Sequence, residues 1–203
     1  MHWQDIEAAR YYLSLGLWLT LPAAILFWLV VHPLAPFWRR LGPTPTYIAM
    51  FLFMGGVGTV CWLWREPVMA TSYPVRPGFV VLGLALYALA VVIEVRCRKH
   101  LKMKILMGVP ELSASDPGRL LTEGIYAHTR NPRYLDLMIG MLGWSLILNF
   151  QVMYWLTVTC VPCFYVVTRL EERELRQRFG KPYEEYLERV PRFLPRSWSF
   201  LRA

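Results

Sequence analysis

The chain has 203 residues, 56% of them apolar and only 18% charged, with nine Trp and a mean hydropathy of +0.33. That balance excludes an ordinary water-soluble globule and points to an integral membrane protein. A net charge of +8 is satisfied by anionic lipid headgroups beside the apolar runs, so membrane lipids rather than nucleic acid are the expected partners.

Four runs lack any charge: Tyr11 to Val31, Pro45 to Trp64, Pro77 to Ile93 and Leu137 to Thr168. A span needs about 20 apolar residues, which the first two supply and the third reaches if its flanks snorkel to the interface. Asp5 and Glu7 precede the first run, so it is expected to be a mature transmembrane helix rather than a cleaved signal. Pro22 in the first helix and Gly55, Gly56 and Gly58 in the second fit kinking and close packing. The third helix leaves the membrane through Glu94-Val95-Arg96-Cys97-Arg98-Lys99-His100. There Glu94 either pairs with Arg98 at i, i+4 or faces a polar cavity. Residues 101 to 123 read as a cytoplasmic loop.

The fourth run has 32 residues, about 48 Å of helix, too long for one span and tight for two. Charge decides. A single crossing divides Lys and Arg 12 against 10, whereas folding back at Asn149-Phe150-Gln151 divides them 19 against 3. The positive-inside rule selects the second arrangement. The expected fold is therefore all-α and polytopic, with five transmembrane helices, the last two a short hairpin. Amphipathic helices follow at the C-terminus. The N-terminus lies outside and the C-terminus in the cytoplasm. With no internal repeat, residues 1–203 form one domain, three transmembrane helices within 1–100 and the rest in 101–203. Of four cysteines, Cys160 and Cys163 flank Pro162 and read as small apolar residues at a kink, with neither a disulfide framework nor a metal site expected.

The chemistry gathers at the two ends of the hairpin. In Gly124 to Asp136, Asn131-Pro132 reads as an N-cap followed by proline at the first helical position, and Asp136 completes the first turn. A helix N-terminus beside Arg130 is suited to an anion, either a ligand's carboxylate or phosphate or a lipid headgroup. Beyond the hairpin, Gly180 stops a helix and Pro182 restarts one. Leu175, Phe179, Tyr183, Tyr186 and Val190 form an apolar stripe expected to lie along the bilayer surface. Because a hairpin returns to the side it left, Glu171 and Glu172 emerge beside Arg130 and Asn131. Adjacent helical residues point about 100° apart, so one of the two readily faces a shared pocket.

The segments Gly124-x-Tyr126-x-x-x-Arg130-Asn131-Pro132-x-Tyr134 and Glu171-Glu172-x-x-Leu175-x-x-x-Phe179-Gly180-x-x-Tyr183-x-x-Tyr186-x-x-x-Val190-Pro191 resemble the isoprenylcysteine carboxyl methyltransferase family, which is related to membrane phospholipid methyltransferases. The resemblance implies an S-adenosylmethionine-dependent methyltransferase with its cofactor at the cytoplasmic interface and a lipophilic small-molecule substrate entering from the bilayer. It places Tyr126, Arg130, Asn131, Pro132, Tyr134, Glu171 and Glu172 in the cofactor region. Glu171 or Glu172 would hold cofactor hydroxyl or amino groups. Arg130 with the helix N-terminus would hold its carboxylate or the acceptor's anionic group. An ammonium acceptor must first lose a proton, making His128 or Asp136 a candidate base. Three residues depart from the family pattern: Asn131 stands where His is common, His128 replaces an aromatic and Asp136 replaces a glycine. The acceptor, a carboxylate, amine or thiol, is therefore not inherited. The rival readings are an NADPH-dependent membrane reductase of the sterol reductase type and a nonenzymatic membrane scaffold.

Overall fold

A computed structural model describes residues 3–31, 33–99 and 119–201. Eight α-helices account for its long elements: α1 (Trp3–Val31), α2 (Ala35–Leu41), α3 (Pro43–Leu63), α4 (Arg65–Met69), α5 (Pro77–Arg98), α6 (Pro132–Leu148), α7 (Gln151–Phe179) and α8 (Lys181–Arg189). A 3₁₀ turn, Gly124–Ala127, precedes α6. Of the loop expected over residues 101–123, residues 101–118 lie outside the described residues.

Among the described residues, four helices are long and apolar enough to cross a membrane: Trp3–Val31, Thr44–Leu63, Pro77–Arg98 and Gln151–Phe179. Their large apolar side chains stay exposed in the isolated chain, Ile48, Phe51, Leu52 and Leu63 on α3 and Val81, Leu84 and Val95 on α5 among them. Helices apolar on their outer faces need hydrocarbon around them, which makes the chain a polytopic membrane protein. At 17 residues, α6 is about 25 Å long, shorter than the roughly 30 Å hydrocarbon core.

The fold-back lies where the charge distribution puts it. Helix α6 ends at Leu148, Asn149 takes the left-handed conformation at φ 53°, and α7 begins at Gln151. Asn is one of the few side chains that tolerate that backbone. Ser145 Oγ donates to the Met153 carbonyl at 2.9 Å, and the Tyr134 ring packs tilted against Phe164 with centroids 5.8 Å apart, so the two helices run antiparallel. Arg10 of α1 secures the turn. Its Nε donates to the Leu148 carbonyl and its Nη2 to the Tyr73 carbonyl, both at 2.8 Å, while Nη1 pairs with Glu7 at 2.6 Å. Asn149 Nδ2 donates to the Pro74 carbonyl at 2.8 Å.

The helices pack in the order α3, α1, α7, α6, α5, and α5 with α6 form the most extensive interface. Glycines set that approach. A Cβ at Gly83 would lie 2.7 Å from the Gly143 carbonyl oxygen, and one at Gly143 would lie 2.8 Å from the Gly83 carbonyl oxygen and 3.1 Å from the Tyr87 nitrogen. Backbone cannot give way as a side-chain tip can, so Gly143→Ala should cost about 1–3 kcal/mol. A lowered thermal unfolding midpoint in detergent, with the helical signal unchanged at low temperature, is the expected result.

The C-terminal stripe differs from expectation. Tyr183, Tyr186 and Val190 are buried in a cluster with Leu120, Leu175, Phe179 and Leu187. The positive φ of Gly180 at the α7–α8 junction turns α8 so that its apolar side faces the protein rather than lipid.

Candidate functional site

The site lies at the end of the bundle opposite Arg10, where α6 begins and α7 ends. Val190 is extended and precedes Pro191, which disfavours continuing α8. The chain instead returns across the start of α6. The Arg130 amide donates to the Pro191 carbonyl at 2.9 Å, the Asn131 amide to the Arg192 carbonyl at 3.1 Å, and Thr129 Oγ1 to the same carbonyl at 3.2 Å. Asn131 occupies the N-cap position with Pro132 first in the helix, yet its side chain caps no backbone N–H. Its Nδ2 donates instead to Glu172 Oε1 at 3.3 Å and to the Arg192 carbonyl at 3.2 Å. A cap would accept through Oδ1, and the two Nδ2 bonds hold the amide turned toward the carboxylate instead.

Glu172 is 3% exposed and is the hub of this end. Arg192 grips it bidentately, Nε to Oε1 at 3.0 Å and Nη2 to Oε2 at 2.7 Å. Arg130 adds Nε at 3.2 Å and Nη2 at 3.1 Å to Oε1. The other arm of Arg130, Nη1, donates to the Leu187 and Val190 carbonyls at 2.7 and 2.8 Å, so the guanidinium also caps the C-terminus of α8. The anion beside Arg130 is thus Glu172 itself. Arg192 also lies 5.0 Å from the Tyr165 ring centroid. Sequence reasoning missed Arg192, although it follows Val190-Pro191 directly; nothing local distinguishes it from the other basic residues of the C-terminal segment.

Glu171 is placed differently. One step along α7 turns it about 100° from its neighbour, and its Oε2 is buried with no hydrogen-bond partner among the described residues. Glu171 lies within electrostatic reach of Tyr126 and Tyr183. Burial pushes the phenols of Tyr126, Tyr183 and Tyr186 upward, which keeps them neutral hydroxyls. Tyr186 donates its hydroxyl to the Tyr126 carbonyl at 2.7 Å, tying α8 to the 3₁₀ turn.

The expected site residues therefore fall into groups. Arg130, Asn131 and Glu172 meet in one network, and Glu171 and Tyr126 meet beside Tyr183. Pro132 is buried at the start of α6, Tyr134 packs within the α6–α7 hairpin, and His128 sits 5.5 Å from the Phe200 ring. Asp136 is one residue past the first turn and neither joins Arg130 nor turns to the surface. It is 6% exposed and lies within electrostatic reach of Glu94 of α5. The cause is helical phase: Gly140, four residues on and so on the same face, rests 3.4 Å from Ala90 of α5 when given a Cβ. The Glu94–Arg98 pair expected at i, i+4 is present.

A buried carboxylate oxygen without a donor is costly unless a ligand supplies one. Hydroxyl and amino groups are donors of that kind. Comparison with known proteins identifies the family of the chain. The family model described as phospholipid methyltransferase matches residues 79–182. The chain is 28% identical over 156 residues to Protein-S-isoprenylcysteine O-methyltransferase B of Arabidopsis thaliana, covering 73% of this chain and 68% of that protein. It is 35% identical over 77 residues to Protein-S-isoprenylcysteine O-methyltransferase of Schizosaccharomyces pombe, covering 37% of this chain and 33% of the relative. A probable protein-S-isoprenylcysteine O-methyltransferase of Oryza sativa subsp. indica is 31% identical over 118 residues, 57% of each chain. The matches thus span between one third and about two thirds of these relatives.

Proposed function

The chain belongs to the phospholipid methyltransferase family, and from that premise we propose that it is an integral membrane S-adenosylmethionine-dependent methyltransferase acting on a lipophilic or membrane-associated acceptor. The observation that carries this reading is the buried Oε2 of Glu171, which has no hydrogen-bond partner among the described residues. Bound there, the cofactor supplies a methyl group on a sulfonium centre, open to in-line displacement by the acceptor. Glu171 accepts from its hydroxyl or amino groups, and Tyr126 and Tyr183 form neutral aromatic walls. Glu172, Arg130, Arg192 and Asn131 hold the end of α7 against the start of α6, which fixes the direction in which Glu171 points. Orientation of this kind is the main contribution a protein makes to a displacement reaction.

The same reading includes the membrane arrangement. Counting α6 as a short fifth span puts the N-terminus outside and the site and C-terminus in the cytoplasm, of the cell inner membrane in a bacterium or the endoplasmic reticulum in a eukaryote. It rests on the division of basic residues, 3 against 19. Reporter fusions after Arg40, Ala70, Lys99 and Arg196 should read inside, outside, inside and inside. An external signal after Arg196 would remove the fifth span.

Calorimetric titration of detergent-purified protein tests the cofactor. S-Adenosylhomocysteine should bind saturably and NADPH should not. Binding of NADPH alone would replace this reading with the membrane reductase, and binding of neither would favour a scaffold.

A further inference from the structure

On the outer side of α7, Val158, Pro162, Tyr165 and Arg169 stand at i, i+4, i+7 and i+11 and are all exposed, so they line one stripe of the helix. The stripe changes character along its length, apolar at Val158 and Pro162, amphipathic at Tyr165 and cationic at Arg169. From Val158 to Arg169 it runs 11 residues, about 17 Å, close to half of the roughly 30 Å hydrocarbon core. The segment after α8 flanks its polar end. Arg192 lies 5.0 Å from the Tyr165 ring centroid, the Phe193 ring centroid lies 6.5 Å from it, and Leu194, next in the chain, is 71% exposed.

Charge at this end does not balance within the protein. Glu172 is one anion held by two guanidiniums, Arg130 and Arg192. Arg130 gives its remaining arm to the Leu187 and Val190 carbonyls. Arg192 commits its Nε–Nη2 edge to Glu172, and its planar fork then turns Nη1 away from that carboxylate. Arg169 is exposed and pairs with no carboxylate among the described residues. Surplus positive charge therefore borders α7 where its apolar stripe ends.

We propose that this face of α7 binds an anionic phospholipid, its phosphate held by Arg169 and the free edge of Arg192 beside the Tyr165 hydroxyl, its acyl chain laid along Pro162 and Val158. A soluble anion would use the charges but not the stripe. A zwitterionic lipid would use the stripe but bring its own ammonium toward the guanidiniums, so an anionic headgroup complements the site better. The bound lipid is not the methyl acceptor. Arg169 and Glu171 are two residues apart on α7, which sets them about 200° apart around the helix, with the lipid on the far side from Glu171. The inference thus goes beyond the methyltransferase reading and stands without it. Because Arg192 is shared between the phosphate and Glu172, occupancy holds the segment after α8 against α7 and steadies the Glu172 network.

Native mass spectrometry of the detergent-purified chain with added phosphatidylglycerol or phosphatidylcholine tests the site. The parent should retain one phosphatidylglycerol about 10-fold more tightly than phosphatidylcholine. Arg169→Ala should weaken that binding about 10-fold, the loss expected for one charge-assisted contact. Arg169→Lys, which keeps the charge without the fork, should fall between. Arg40→Ala, which removes an exposed charge from α2, should leave the preference intact. Phosphatidylglycerol should also raise the unfolding midpoint of the parent but not of Arg169→Ala. The two proteins should unfold together in phosphatidylcholine, which separates loss of the lipid from misfolding. Glycerol phosphate, the headgroup chemistry without acyl chains, should leave the midpoint unchanged. Equal retention of the two lipids, or parent-like binding by Arg169→Ala, overturns the site. So does an equal loss in Arg40→Ala, which would mean diffuse attraction to surface charge. A midpoint raised as much by glycerol phosphate as by phosphatidylglycerol makes this a soluble-anion site and overturns the lipid.

Discussion

Glu172→Ala should destabilise the site end of the protein by about 3–5 kcal/mol, because removing one member of a buried ion network leaves the others charged and unpaired. Two guanidiniums depend on this carboxylate: Arg130, whose side chain is 10% exposed, and Arg192, at 21%. Neither can release its proton, so both must draw in water or move. The Asn131 amide loses an acceptor as well. For a chain of this size the loss corresponds to a fall of about 6–20 °C in unfolding midpoint. Proteolysis should detect it as early cleavage around α8, whose last carbonyls Arg130 caps. Glu172→Gln keeps the shape and one acceptor oxygen and should fall between alanine and the parent. A midpoint within 2 °C for Glu172→Ala would mean that water already screens the network.

Much of this arrangement is legible in the sequence, and the part that is not has identifiable causes. The hairpin could be placed because charge asymmetry across a membrane is a property of the whole chain and needs no knowledge of packing. Its turn then falls on Asn149, a residue that accepts a left-handed backbone. Periodicity revealed the stripe on α7 and α8, but a stripe reports only that a face is apolar and not what covers it, so Tyr183 and Tyr186 were assigned to lipid and lie in the protein. Asp136 was misplaced for a related reason. Counting from Pro132 fixes its position along α6, whereas its direction is set by the glycine contacts with α5. Arg192 escaped notice because its importance depends on an extended segment crossing the start of α6, a long-range pairing invisible to local pattern.

Glu171 is the neighbour for which the opposite result is expected. Glu171→Ala should weaken S-adenosylhomocysteine binding about 10- to 150-fold, the equivalent of roughly 1.5–3 kcal/mol for a charge-assisted hydrogen bond. It should leave the unfolding midpoint unchanged or slightly higher, since it deletes a buried oxygen that has no protein donor among the described residues. Glu171→Gln retains one carbonyl acceptor but loses the charge, so its affinity should lie between. Arg176→Ala, on the exposed side of α7, should change neither quantity and serves as the control. The two adjacent glutamates then separate by readout, Glu172→Ala lowering stability first and Glu171→Ala lowering affinity first. If Glu171→Ala instead unfolds the protein as Glu172→Ala does, its oxygen has a protein partner and the cofactor assignment fails; if affinity stays within twofold of the parent, the cofactor is held elsewhere.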